Sequence, residues 1–342
     1  MKPKFLLCFA LVLSAVNLRG QNAPPNPVPR EVLAFYYPWY SVDRSGIHGR
    51  HWGNINAAAH DASASPHYPA CGVYDSMDPA LVKSHIDLAK SNGITGFIVS
   101  WWGLKSKQTR DDSSVPLMLQ CADREHFKIS VYWEQAPGSG AARKAQAIND
   151  LVYLVTSFGT NDAFLKVDGK PVIFVYERVL SQIPKTDWPT IISGARAKAG
   201  PFLLIADNFE ETNARLFGGL HRYNIAWAGE GKTPDELRAW AAQYDGNAVK
   251  LARQYRRISS VTVIPGYNDT KMRKPGRNVD RRDGQVYRTL WEEAIKANPD
   301  WVVITSWNEW LEGTEIEPSV EDGDRYLKLT AEYSRRFLET KP

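Results

Sequence analysis

"DPALVKSHIDLAKSNGITGFIVSWWG", residues 78 to 103, spells out one complete unit of a fold. Asp78 stands where a helix is capped, Pro79 fits a first turn that needs no N–H there, and Gly93 closes the helical stretch. Directly after it, "ITGFIVSWWG" is an apolar, β-branched and aromatic run of strand length that ends in Trp101 and Trp102. A helix that feeds a buried strand is the repeating element of parallel α/β proteins.

The same alternation continues on both sides. The expected strands are "VLAFYYPWY", "ITGFIVSWWG", "KISVYWE", "PVIFVYE", "PFLLIADN", "YNIAWAG", "VTVIPGYND" and "WVVITSWNE". Helical stretches lie between them, such as "TPDELRAWAAQYDGNAVKLARQY", opened by Thr233 and Pro234. Eight units with no glycine-rich phosphate loop after the first strand favour an α/β fold of one kind, a single (β/α)8 TIM barrel with elaborated βα loops, over a doubly wound open sheet. The barrel is expected over residues 31–342.

Ahead of it, "MKPKFLLCFALVLSAVNLRG" (1–20) has Lys2 and Lys4 before an apolar stretch from Phe5 to Val16 that is short for a membrane span. We read it as a secretory signal peptide, and the protein as secreted or periplasmic. Residues 21–30, "QNAPPNPVPR", read as a Pro-rich linker. Beyond the leader, Cys71 and Cys121 are expected as two separate thiols, because a domain of this size needs no staple. Hydrophobic and charged fractions of 43% and 23% exclude disorder and an integral membrane protein. A net charge of +4 with scattered Lys and Arg gives no nucleic-acid footprint.

Strand after strand ends in aromatic, acidic or amide residues: Tyr36, Tyr37 and Trp39; Trp102; Glu134; Tyr176; Asp207; Trp227; Tyr267 and Asp269; then Asn308, Glu309 and Glu312. In a parallel barrel those ends share one face, where active sites of this fold are built. Trp and Tyr suit sugar rings, which stack on aromatic faces, although barrel packing uses the same residues. The last strand leads into "WNEWLEGTEIEPS", which sets Glu309, Glu312, Glu315 and Glu317 within nine positions. Glu309 and Glu312, three apart, share one side of a helical turn. Two such carboxylates can act as base and acid at a glycosidic bond, and two solvated loop glutamates would give the same pattern. His48, His51, His60 and His67 fall in a long polar loop, read as a cover over the bowl rather than a metal site. No metal or cofactor is expected, and no G-x-S-x-G is present.

"FYYPWY", "YDSMDPALVKSHIDLAKSNGITGFIVSWWG", "PVIFVY", "IPGYNDTKMRKPGRN" and "ITSWNEWLEGTEIEPS" together resemble glycoside hydrolase family 99, the endo-α-mannosidases and endo-α-1,2-mannanases, from about Val32 to the C-terminal helix. The resemblance implies a (β/α)8 barrel that cleaves an internal α-mannosidic bond with retention. It implies Glu309 as the base that deprotonates the sugar's own 2-hydroxyl, giving a 1,2-anhydro sugar, and Glu312 as acid and then base. It also implies Glu134 near the substrate hydroxyls, Tyr176 on the substrate side and Trp102 in the outer wall. Tyr36, Tyr37, Tyr267, Arg273, Asn308 and Trp227 complete the expected lining. The partner is then an oligo- or polysaccharide.

Three departures bear on the sugar. Leu311 stands where the family pattern has His, and Glu315 where it has Gln. "YERVL" lacks the His and Tyr that often follow the fourth strand. "AWAGEG" lacks the Tyr sought after the sixth. Lost donors beside a sugar change which sugar is held. Three alternatives stand: a hydrolase of another glycan, such as an α-glucan or a bacterial polysaccharide; a carbohydrate-binding barrel without catalysis; and a structural surface protein whose aromatics are only core.

Overall fold

A computed structural model describes residues 28–104, 113–123 and 126–340; the expected signal peptide and all but the end of the Pro-rich linker lie outside them. The barrel strands are β1 (Glu31–Tyr36), β2 (Gly96–Trp101), β3 (Lys128–Trp133), β4 (Lys170–Val175), β5 (Leu203–Asp207), β6 (Gly219–His221), β7 (Ile258–Val263) and β8 (Trp301–Ile304). Each pairs in parallel with its neighbours, and β8 returns to β1 through Glu31↔Trp301 to Ala34↔Ile304, which closes the ring. The expected barrel is thus the observed one.

Seven strands fall where the sequence puts them, and the sixth does not. "YNIAWAG" is not a strand: Ala226–Gly229 is a single helical turn, and β6 lies earlier, in "GLH". Three residues carry no readable periodicity. Gly219 stands there because a Cβ would come within 3.0 Å of the Ile258 carbonyl oxygen and closer still to the Ile205 side chain.

Side-chain alternation divides the core in two. Leu33, Phe35, Ile98, Tyr132, Phe174 and Val303 fill the barrel, whereas Val32, Ala34, Tyr36, Val99, Val131 and Ile304 meet the helices. Helix α1 (Pro79–Ser91) shows why the helices form. The Asp78 carboxylate accepts from the Ala80 N–H at 2.8 Å, Pro79 follows, and Val82, His85, Ile86 and Ala89 make the buried stripe. No disulfide joins Cys71 and Cys121. No helix among the described residues is long and apolar enough to cross a membrane.

Two βα connections are elaborated on the C-terminal face. After β1, residues 41–62 form a small four-stranded antiparallel sheet that carries His51 and Trp52. After β7, Tyr267–Asn268 pairs with Asn278–Val279, a hairpin that presents Asp269, Met272 and Arg273.

The helix Pro234–Gln254 begins with a reciprocal cap, in which the Thr233 hydroxyl accepts from the Glu236 N–H and the Glu236 carboxylate accepts from the Thr233 N–H. Thr233→Ala should cost about 1 kcal/mol. Urea unfolding should show a lower midpoint with an unchanged slope; an unchanged midpoint would mean the cap contributes nothing.

Candidate active site

The four glutamates after β8 divide by twos. Ser306 Oγ accepts from the Glu309 N–H at 2.7 Å, and the Glu309 carbonyl accepts from the Glu312 N–H at 3.2 Å and the Thr314 N–H at 3.3 Å, so a tight turn puts Glu309 and Glu312 on the same side. Both open into a pocket of about 210 Å³. Gly313, at φ +56°, then reverses the chain where a side chain would meet Asn268 and Pro66. Glu315 and Glu317 point away. Glu315 is fully buried against Arg281 and His67; burial alone would raise its carboxyl, but Arg281 first and His67 second hold it below the usual range. Glu317 accepts from Tyr74 Oη at 2.7 Å and Trp310 Nε1 at 3.2 Å, with His85 Nε2 at 3.1 Å. The Gln-to-Glu departure at Glu315 is therefore a buried ion pair outside the pocket.

Within the pocket the acids have unequal surroundings. Glu312 Oε1 takes two N–H groups of Arg273 at 3.2 Å each, and its Oε2 accepts from Tyr223 Oη at 3.3 Å. Arg273 is fixed in turn by Asp269 and by Tyr267 Oη. Burial raises Glu312, and Arg273 pulls it back. Glu309 has no such cation in contact, and among the described residues no side chain bonds its carboxyl. Burial, then Glu312, then Glu134, push it well above the ordinary range. Glu134 accepts from Ser100 Oγ at 2.9 Å, yet burial lifts it to about 8. Three carboxyl groups thus share one pocket in which burial favours the protonated form of each and Arg273 opposes it most directly at Glu312.

Aromatic rings form the walls. Tyr37, Trp39 and Trp102 line one stretch, with His51 stacked on Trp39 at 4.8 Å; Tyr132, Tyr176 and Tyr223 line another. Burial first and Arg50 second depress His51 to about 4, so its ring is neutral and acts as a flat wall. Leu311 and Met272 add apolar surface. A larger cleft of about 330 Å³, lined by Asn268, Arg281, Gly313 and Asp322 among others, has arginines already paired: Arg281 with Glu315 and Asp322, and Arg325 with Asp283 and Asp322.

Of the expected residues, Tyr37, Trp102, Glu134, Tyr176, Arg273, Glu309 and Glu312 come together in the pocket. Four do not line it, one of them Tyr267, which stands behind Arg273. Tyr36 points into the helix layer, bonded to His85 Nδ1 at 3.2 Å, because it has the outward parity of β1. Asn308 spends its amide on the Tyr37 peptide. Trp227, 45% exposed, packs edge-on against Trp240 and Tyr244, since the strand it was assigned to is a helical turn. The histidine loop covers the bowl only through His51.

The sequence reading passed over Tyr132, Tyr223 and Arg178. Tyr132 shares the inward parity of Glu134 on β3, a signal that was available. A tyrosine does follow the observed sixth strand: Tyr223, two residues past β6, lines the pocket, and the misplaced strand hid it. Asp207, at the end of β5, holds both, accepting from Tyr132 Oη at 3.1 Å and the Tyr223 N–H at 3.3 Å.

The raised Glu134 has a thermodynamic sign. The folded protein keeps its proton up to about pH 8, whereas an unperturbed carboxyl releases it near 4.5. Between those values the folded state binds more protons than the unfolded one, so this contribution to stability is complete below pH 4.5 and is lost as pH rises through 8. Glu134→Gln removes the titration, and unfolding followed at steps across that window should show a shallower decline than in the wild type. Parallel profiles would exclude a proton held on Glu134.

The likeness seen in the motifs extends over the whole chain. The model of glycosyl hydrolase family 99 matches residues 27–339. A glycoprotein endo-alpha-1,2-mannosidase-like protein of Danio rerio is 27% identical over 94% of this chain and 81% of its own length; the mouse glycoprotein endo-alpha-1,2-mannosidase is 26% identical over 96% and 78%. The solved GH99 endo-alpha-mannosidase of Bacteroides thetaiotaomicron superposes with a TM-score of 0.74 at 25% identity, covering 90% of this chain and 97% of that one. With barrel, pocket and near-complete coverage in agreement, the chain belongs to glycosyl hydrolase family 99 and is a glycoside hydrolase.

Proposed function

We propose that this protein is an exported endo-acting α-glycosidase that cuts internal α-mannosidic bonds with retention, by way of a 1,2-anhydro sugar. The observation that carries the reading is the buried Glu309 carboxyl, held by the Leu311 N–H of its own turn and by no side chain among the described residues, one turn from the arginine-held Glu312. Glu309 accepts the proton of the sugar's 2-hydroxyl as O2 attacks C1. The bond from C1 to the leaving oxygen breaks, and Glu312 gives that oxygen its proton. In the second half Glu312 takes a proton from water, the water oxygen attacks C1, the C1–O2 bond of the anhydro sugar breaks, and Glu309 returns its proton to O2. No protein atom bonds to C1, so the usual carboxylate separation for retaining enzymes does not apply.

Glu309 is pushed well above the ordinary range by burial and its neighbouring carboxyls while Arg273 draws Glu312 back, the reverse of the order these roles require. A bound sugar supports the exchange: its 2-hydroxyl donates to Glu309 and lowers it, while the glycan excludes water from around Glu312 and raises it. Export rests on residues 1–20. The mannose assignment rests on the named activities of the relatives, and the apolar Leu311 in the pocket is the specific observation that favours a different or decorated glycan.

The test is a product screen. The protein is incubated with α-1,2-branched yeast mannan, α-glucans and bacterial polysaccharides, and released fragments are sized by mass. Short mannose oligomers are expected, with retention at the new reducing end by NMR, and Glu309→Gln and Glu312→Gln should each lower kcat by about 10²-fold or more while binding persists. Near-normal turnover in either variant would remove the role given to that residue. Release from another glycan alone would keep the chemistry and replace the sugar.

A further inference from the structure

The charges around the pocket are nearly all committed. Arg273 is held by Asp269 and Glu312, and the neighbouring Arg222 by Glu177 and Asp207. Arg178 is the exception. It lines the pocket with its guanidinium 4.8 Å from the Trp102 ring centre and 5.2 Å from that of Tyr176, and among the described residues no carboxylate lies within ion-pair distance of it. Its field reaches Glu134 without direct contact.

Stacking on rings uses the faces of a guanidinium and leaves its in-plane N–H donors free. Those donors form a fixed fork that matches two oxygens of a carboxylate or a phosphate. A neutral sugar has no need of a fixed cation, since amide or carboxylate groups serve its hydroxyls equally well. The rings that fix Arg178 are themselves walls of the sugar pocket, so an anion at the fork would be carried by a sugar stacked beside them. Glu134 does not oppose this, because at neutral pH its raised carboxyl is largely protonated.

We propose that the pocket selects glycans bearing an oxyanion substituent, a carboxylate or a phosphate, which Arg178 binds through its in-plane N–H fork. The inference rests on the glycosidase reading and narrows its substrate. Arg178 is a specificity-determining residue here and takes no part in bond breaking. Because the fork is open to solvent, the selectivity should weaken as ionic strength rises.

The test compares kcat/KM at low salt on three α-mannans of like backbone: one carrying phosphate, the same material stripped of phosphate, and one carrying uronic acid. At least one anionic mannan should exceed the stripped one by about tenfold, mainly through KM. The preferred mannan identifies the oxyanion. In Arg178→Gln the ratio should fall to near one, and Arg178→Lys, which keeps the charge without the fork, should keep only part of it. A wild-type ratio near one on both anionic mannans, or an unchanged ratio in Arg178→Gln, overturns the proposal while leaving the glycosidase reading intact. If no mannan is cut at all, the mannose assignment fails, and titration with mannose 6-phosphate, glucuronate and mannose decides this proposal. Tighter binding of an anionic sugar that disappears in Arg178→Gln supports it, and equal binding of all three sinks it.

Discussion

Asn308 joins the two ends of the barrel. Its carbonyl oxygen accepts from the Tyr37 N–H at 2.7 Å, and its amide donates to the Tyr37 carbonyl at 3.1 Å. A side-chain amide thereby mimics one more rung of the β8 to β1 ladder, just where the strands part, and the neighbouring Trp307 N–H adds a bond to the Phe35 carbonyl at 2.8 Å. Glu309 is the next residue, and Tyr37 and Trp39 are the facing wall. The position of the acid relative to the aromatic surface is therefore set by the seam that closes the barrel. The buried pair of Glu315 with Arg281 secures the far side of the same turn, and losing one partner of such a pair costs about 3–5 kcal/mol because the other is left charged and dry.

The pocket works by unequal treatment of similar groups. Glu312 is given Arg273 and Tyr223, Glu134 is given Ser100, and Glu309 is given only its own turn. Three carboxyls in one low-dielectric space cannot all ionise together, so proton occupancy follows which of them has a cation or donor within reach. Asp207 and Asp269 stand behind the walls and hold tyrosines and arginine, so they fix the pocket lining from outside it.

The fold was legible because its signals are local and repeated. Caps at Asp78 and Thr233 and apolar runs of strand length mark each unit, and seven of eight strands follow from them. The sixth was not, since a three-residue strand with a glycine at its start has neither period nor apolar run; the apolar "YNIAWAG" beside it is a buried loop leading to a helical turn of which only Trp227 is exposed. That error moved Trp227 into the expected site and kept Tyr223 out. Parity decided other cases. Tyr36 and Tyr37 are adjacent in sequence, but one faces the helices and the other the sugar, and only the register of β1 with its neighbours says which. The four glutamates could not be sorted from sequence because their partners, Arg281, His67, Tyr74 and His85, come from distant segments.

The unsupported Glu309 carboxyl has a consequence for how such a protein can change. A buried acid held by no side chain lowers the stability of the folded protein, and filling its place with an apolar or amide side chain relieves that cost. Selection for robustness alone would therefore erode this position first. Under the proposed role of Glu309, a stabilised descendant that lost it would persist as a well-folded barrel with its pocket intact and its chemistry gone.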